Sequence, residues 1–118
     1  MVHLQARRNL DVFLRKNGIL QFSVADNMSF QLPGHRLDLS FGHSLLQITL
    51  SAPVKWVSDD IFLHLMAQAG LAGHGPILRV FRLPNELGIN AAIPDTDSAE
   101  SWCRLYLMQK KLIHNILN

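Results

Sequence analysis

Six histidines are the chain's most obvious chemical resource: His3, His35, His43, His64, His74 and His114. None sits in an HExxH pattern, and the one cysteine, Cys103, cannot build a Cys-rich zinc site. Cys103 stands beside Trp102 in an apolar stretch and reads as a packed thiol. A Cys–His nucleophile would need a histidine brought to it through space, and nothing in the sequence places one. Gly70, Gly73 and Gly75 lack the GK[ST] ending of a phosphate-binding loop. The paired carboxylates Asp59-Asp60 and Asp95/Asp97 precede helical stretches, where capping explains them. These residues imply a protein that is not an enzyme and uses no cofactor or metal.

Composition sets further bounds. With 118 residues the chain reads as one domain over 1–118, large enough for one core. Hydrophobic residues make up 48% and charged residues 17%, which is apolar-rich for a soluble domain. No run approaches the ~20 apolar residues of a membrane span, so no stable membrane insertion is expected. The first residues lack an apolar leader, and a lone cysteine forms no internal disulfide, which together point to a reducing cytoplasm. The net charge of +2 is modest for a nucleic-acid binder.

The elements that would position these residues follow from periodicity. His3 to Asn17 is expected to be helical, with Leu4, Leu10, Phe13 and Leu14 recurring on one side and Gly18 as the stop. Its charges, Arg7, Arg8, Asp11, Arg15 and Lys16, form either a solvated face or a basic patch for an acidic partner. From residue 19 to 51 the period falls to two, the mark of half-buried strands. Leu20/Phe22/Val24, Met28/Phe30/Leu32, Leu37/Leu39/Phe41 and Leu46/Ile48/Leu50 form the apolar sets. A three-residue loop at 25–27 would match Val24 to Met28, and a two-residue loop at Gly42-His43 would pair Leu39 with Leu46. At Pro33-Gly34 the apolar set moves from even to odd numbers, as in a second hairpin or a long bent strand. The bent strand is favoured, because a type II turn splays tight hairpins. Ala72–Pro76 reads as a Gly-rich loop, Ile77–Leu83 and Leu87–Ile93 as a hairpin across Pro84-Asn85-Glu86, and Ser98–Leu117 as a long final helix capped by Asp95 or Asp97. The fold class is therefore α+β: helix, antiparallel meander of three or four strands, helix, two-stranded hairpin, long C-terminal helix.

The middle helix, Asp59–Leu71, is the unusual element. Ile61, Phe62, Leu63, Leu65, Met66 and Ala69 spread around most of its circumference, which demands burial nearly all round. A one-faced sheet covers only one side. Leaving two or three of Ile61, Phe62, Leu65 and Met66 in water would forgo roughly 3–9 kcal/mol, comparable to a domain's whole stability. A dimer through this helix is the expected remedy.

The passage Leu46-Gln-Ile-Thr-Leu-Ser-Ala-Pro-Val-Lys-Trp-Val-Ser-Asp-Asp, followed by Phe62-Leu-His-Leu-Met-Ala-Gln-Ala-Gly-Leu, resembles the class I chaperones of bacterial type III secretion, the family that includes the chaperone of the translocated intimin receptor. The resemblance covers most of the chain. It implies a homodimer, or a heterodimer with a sister chaperone, built through the middle helix and following strand. Here that interface would use Ile61, Phe62, Leu65, Met66, Ile77, Arg79 and Phe81. It also implies that an extended segment of a secreted effector or gatekeeper protein lies along the first helix and neighbouring sheet, held without ATP and kept soluble for export. The corresponding cargo contacts would be Leu10, Phe13 and Leu14, with Arg7 and Arg15; the alternative is that the three apolar residues simply pack on the sheet, the favoured reading for Phe13. The family is typically acidic, whereas this chain is basic, which suits an acidic cargo or partner chaperone.

The competing reading is a small nucleic-acid-binding module, or another α+β interaction module, using the basic first helix with Arg79 and Arg82. It lacks an aromatic platform, since Phe22, Phe30 and Phe41 fall on the apolar set.

Overall fold

A computed structural model describes residues 2–72 and 77–117 of the chain. The elements run α1 (Leu4–Lys16), β1 (Asn27–Leu32), β2 (His35–Gly42), β3 (Leu45–Pro53), α2 (Asp59–Ala72), β4 (Leu78–Leu83), β5 (Glu86–Pro94) and α3 (Ala99–Leu117). The strands form one antiparallel sheet in the order β1-β2-β3-β5-β4. The fold is the expected α+β, with three strands before the middle helix.

Parity explains why the sheet has one apolar face. Every strand pair matches an even-numbered residue with an odd-numbered one: Phe30 with Leu37, Leu39 with Ile48, Ile48 with Ala91, Val80 with Ile89. Side chains alternate across a strand. The even apolar residues of β1, β3 and β4 therefore share a face with the odd ones of β2 and β5. That face carries Leu37, Leu39, Leu46, Ile48, Leu50, Leu87, Ile89 and Ala91, all buried. The parity switch at Pro33-Gly34 is thus a hairpin, and the expectation of one bent strand is corrected. Leu32 pairs with His35, and Gly34 takes φ +83°, as the third residue of a type II turn requires.

Three other expectations change. The β2–β3 loop is His43-Ser44, so Leu39 faces Ile48 in place of Leu46. The slip moves each partner by two residues, which leaves every side chain on its expected face. Both loop residues have positive φ, 54° and 63°, the signature of a type I′ turn, which follows the sheet's twist better than the expected Gly-first loop. Secondly, Leu20, Phe22 and Val24 form no strand; residues 19–25 cross the surface with Ile19 buried and Leu20 exposed. Thirdly, β4 turns into β5 through two residues, Pro84-Asn85, with Leu83 facing Glu86. The Gly-rich loop expected after the middle helix lies, over 73–76, outside the described residues.

The helices lie on the apolar face. His3 caps α1, its Nδ1 accepting the Ala6 N–H at 3.2 Å, and Gly18 ends it at φ +81°. Ser58 caps α2 by accepting from Ile61 N–H at 3.1 Å. Ser98 caps α3 by accepting from Ser101 N–H at 3.1 Å, a role expected of Asp95 or Asp97. Trp102, Tyr106 and Phe13 are fully buried, and the Phe13 ring meets Trp102 edge-on at 6.1 Å. Gln109, also fully buried, donates through Nε2 to the carbonyls of Ile48 and Ile89 at 2.9 and 3.1 Å, tying α3 to β3 and β5.

His43 and Ser44 pay a conformational penalty that Asn-Gly avoids. The double substitution His43→Asn/Ser44→Gly should raise stability by about 1 kcal/mol in urea unfolding, the order of cost of non-glycine residues held at positive φ.

Candidate interaction surface

Among the described residues no three His, Cys, Asp or Glu side chains converge as a metal site. The histidines are dispersed. His3 caps α1 and approaches Asp95 at 3.2 Å, His43 lies in a turn, and His64 and His114 are exposed. His74 lies outside the described residues. Cys103 is half-buried, 3.9 Å from the Asn17 amide nitrogen.

His35 is the exception in chemical environment. It is buried at the start of β2, hydrogen-bonds the Tyr106 hydroxyl, and faces the His114 ring edge-on at 6.4 Å. Burial, then the charges of Lys110 and His114, lowers its pKa below the ordinary 6.5, with a backbone hydrogen bond at Pro33 working the other way. Burial pushes the Tyr106 hydroxyl up to about 12, and the Lys110 ammonium sits over its ring at 4.5 Å. The pair is a neutral, structural link between the β1–β2 hairpin and α3.

What the fold leaves uncovered is broader. The helices cover one sheet face, and the other carries the alternate residues of each strand. At its β2 side Arg36 bridges Asp38 at 3.0 Å and Glu86 at 2.8 Å, reaching across β3. Near the middle the Asn90 amide donates to Thr49 at 2.8 Å and to Gln47 at 3.3 Å. Phe81 lies flat on Gly88: a Cβ there would stand 2.1 Å from the Phe81 ring, so only glycine admits it. Beyond them Leu45, Gln47, Ile77, Arg79, Asn90 and Ala92 line an open groove of about 470 Å³.

On the helix side, α2 buries Leu65 and Ala69 and half-buries Phe62. Arg82 of β4 lies over the Phe62 ring at 4.8 Å and bridges Asp59 at 2.7 Å, which fixes α2 against the edge strand. The outer side of α2 remains apolar and uncovered, with Leu63 59% and Met66 48% exposed; Ile61, on the other flank of the helix, borders a cleft with Asn115 and Ile116 of α3. Trp56, in the connector before α2, is 76% exposed.

Against these positions the expected contacts divide. Leu10, Phe13 and Leu14 are fully buried beneath Trp102 and Tyr106. They are core residues with no surface to offer a cargo, because the apolar stripe of α1 is spent on α3 and the sheet. Arg7 and Arg15 are exposed, Arg15 pairing with Asp11 at 3.0 Å. Of the expected dimer contacts, Leu65 is likewise fully buried within the chain. Met66 opens on the helix side of the sheet, Ile77, Arg79 and Phe81 lie toward the open face at edge strand β4, and Ile61 turns toward α3, so the set does not form one continuous patch. Sequence reasoning passed over the open-face groove, whose signal was the alternate positions Leu45, Gln47, Asn90 and Ala92.

The SsaM family model matches residues 3–116, nearly the whole chain. The chain belongs to the SsaM family. No curated protein sequence matches it. Among solved structures it is similar to a chain of the HopA1–SchA chaperone–effector complex, with 21% identity, a TM-score of 0.56, and coverage of 96% of this chain and 91% of that one. It is also similar to YbjN from E. coli, a proposed transcription regulator, with 11% identity, a TM-score of 0.54, and coverage of 98% and 90%. At these identities the likeness is one of fold. Among the described residues no helix is long and apolar enough to cross a membrane.

Two outcomes follow from this geometry. His35 is charged in the unfolded chain below the ordinary 6.5 but resists protonation in the fold. Its contribution is complete above 6.5 and is lost as pH falls through the lower native pKa. The melting temperature should fall on acidification through this window, and His35→Gln should flatten that fall. Separately, Gly88→Ala should cost about 1–3 kcal/mol through displacement of Phe81, and the same substitution in a Phe81→Ala background should cost less, as a double-mutant cycle in denaturant would measure.

Proposed function

We propose that this chain is a type III secretion chaperone that binds an extended segment of a secreted effector or gatekeeper protein and keeps it soluble and competent for export. Residues 1–118 act as one chaperone domain, in the cytoplasm and without catalysis. It works as a homodimer or as a heterodimer with a sister chaperone. Leu63 and Met66 of α2 supply one part of that interface, and Ile77, Arg79 and Phe81 at the β4 edge supply the other.

The observation that carries this reading is the one-sided sheet with α2 fixed at its edge, its apolar outer side bare. Membership of the SsaM family and a fold shared with a chain of a chaperone–effector complex support it. The exposed Leu63 and Met66 of α2 and the open sheet face offer surface for binding. An extended segment gains affinity from backbone pairing at sheet edges and from side-chain pockets, with no requirement for energy input. With Leu10, Phe13 and Leu14 internal, cargo contact falls to Arg7, Arg15 and the open sheet face.

Co-expression with the reading frames that neighbour this one, followed by capture and mass spectrometry, should recover a secreted protein whose bound segment is sensitive to protease once released. Recovery of neither such a protein nor a sister chaperone contradicts the proposal. A Gln47→Lys/Ala92→Asp variant that remains folded should capture less cargo.

A further inference from the structure

The charges of this chain are distributed unevenly over its elements. Seven of the eleven Lys and Arg residues, but only two of the nine Asp and Glu, lie on α1 and α3. These two helices carry a net +5, and the remainder of the chain carries −3. The helices are neighbours: Phe13 packs on Trp102, the Asn9 amide donates to the Asp97 carbonyl, and Asn17 reaches Cys103. Their outer sides thus form one surface, turned away from the sheet.

The pattern on that surface is specific. In α1, Leu4, Arg8, Val12 and Arg15 recur at helical spacing opposite the buried Ala6, Leu10 and Phe13, and all four are exposed. In α3, Arg104, Leu107 and Lys111 recur opposite the buried Trp102, Tyr106 and Gln109, and are exposed as well. Asp11 and Glu100 are the two acids present, and Asp11 is engaged by Arg15. Among the described residues no carboxylate pairs with Arg8, Lys16, Arg104 or Lys111.

We infer that the outer face of α1 and α3 is a docking surface for an acidic segment of a partner protein, one that alternates carboxylates with apolar side chains. The inference rests on the chaperone reading and adds the chemistry of what is bound. Charge complementarity supplies the attraction and steers encounter; Val12 and Leu107 each stand between cations, and Leu4 one turn before Arg8, to receive apolar groups. A nucleic acid fits less well, because the aromatic rings of these helices, Phe13, Trp102 and Tyr106, are buried and leave no stacking platform. A membrane surface fits less well too, since no exposed aromatic anchors either helix.

The test uses the full chain and four labelled probes: a synthetic peptide with Glu and Leu at helical spacing, the same peptide with Gln for every Glu, a DNA duplex, and vesicles of phosphatidylglycerol and phosphatidylcholine. The acidic peptide should bind about tenfold or more tightly than its Gln counterpart at low salt, with the gap closing as salt screens the charges. Arg8→Glu/Lys16→Glu/Arg104→Glu/Lys111→Glu, all exposed positions, should abolish that gap while the melting curve and far-UV spectrum stay as in the parent. Equal binding of the two peptides overturns the inference, as does tighter binding of DNA or vesicles than of the acidic peptide. A co-expressed cargo held equally by parent and quadruple variant overturns it while leaving the chaperone reading standing. If the parent binds neither cargo nor peptide, both fall.

Discussion

The line where α3 crosses β3 and β5 is the constraint on which the rest of this structure depends. Trp102, Tyr106, Gln109 and Ile113 are buried along it. Gln109 is the unexpected member, a fully buried amide that stays because two strand carbonyls accept its protons. Those bonds set where α3 lies. Phe13 then packs edge-on against Trp102 and brings α1 beside α3, Phe41 of β2 meets the same ring, and α2 fills the remaining strip between α3 and β4. Three helices crowd one face, and among the described residues no helix covers the other.

One-sidedness connects fold to function. Antiparallel sheets tolerate water on one face, so an open face alone is unremarkable. Here, however, the open face holds the Phe81–Gly88 contact and a groove, and at the same edge α2 exposes Leu63 and Met66. Burying a leucine- or methionine-sized side chain is worth about 1.5–3 kcal/mol. On the proposed function, a second subunit and an extended cargo would recover that energy.

Much of this was legible in the sequence, and the failures are instructive. Alternation located β1, β2, β3 and β5 and assigned their faces correctly, even where the β2–β3 register slipped by two, because a two-residue slip preserves faces. It misled at Leu20, Phe22 and Val24, which alternate without a partner strand: periodicity reports what a strand would bury, and residues 19–25 pair with nothing. It did not settle that β5, in place of β4, joins β3, although β4 carries Arg79 and Arg82, charges that suit an edge strand, and β5 alternates as a buried strand does. The helix stripe Leu10, Phe13 and Leu14 was visible, but its destination was not. A stripe facing a cargo and a stripe facing Trp102 look alike in sequence. The open-face groove was hidden for the opposite reason: its residues hold the alternate strand positions, but they mix polar and apolar types and read as an ordinary solvated face.

The central claim is that α2 and the β4 edge are an interface that the isolated chain leaves unfilled. Light scattering on the purified protein, alone and with a captured sister chaperone, measures this directly. The account predicts a particle of about 27 kDa, twice the 13.3 kDa of one chain, or a comparable heterodimer, reduced to 13.3 kDa when Leu63 and Met66 are changed to aspartate. A well-behaved monomer at micromolar concentration, unchanged by those substitutions and by any partner, would contradict it.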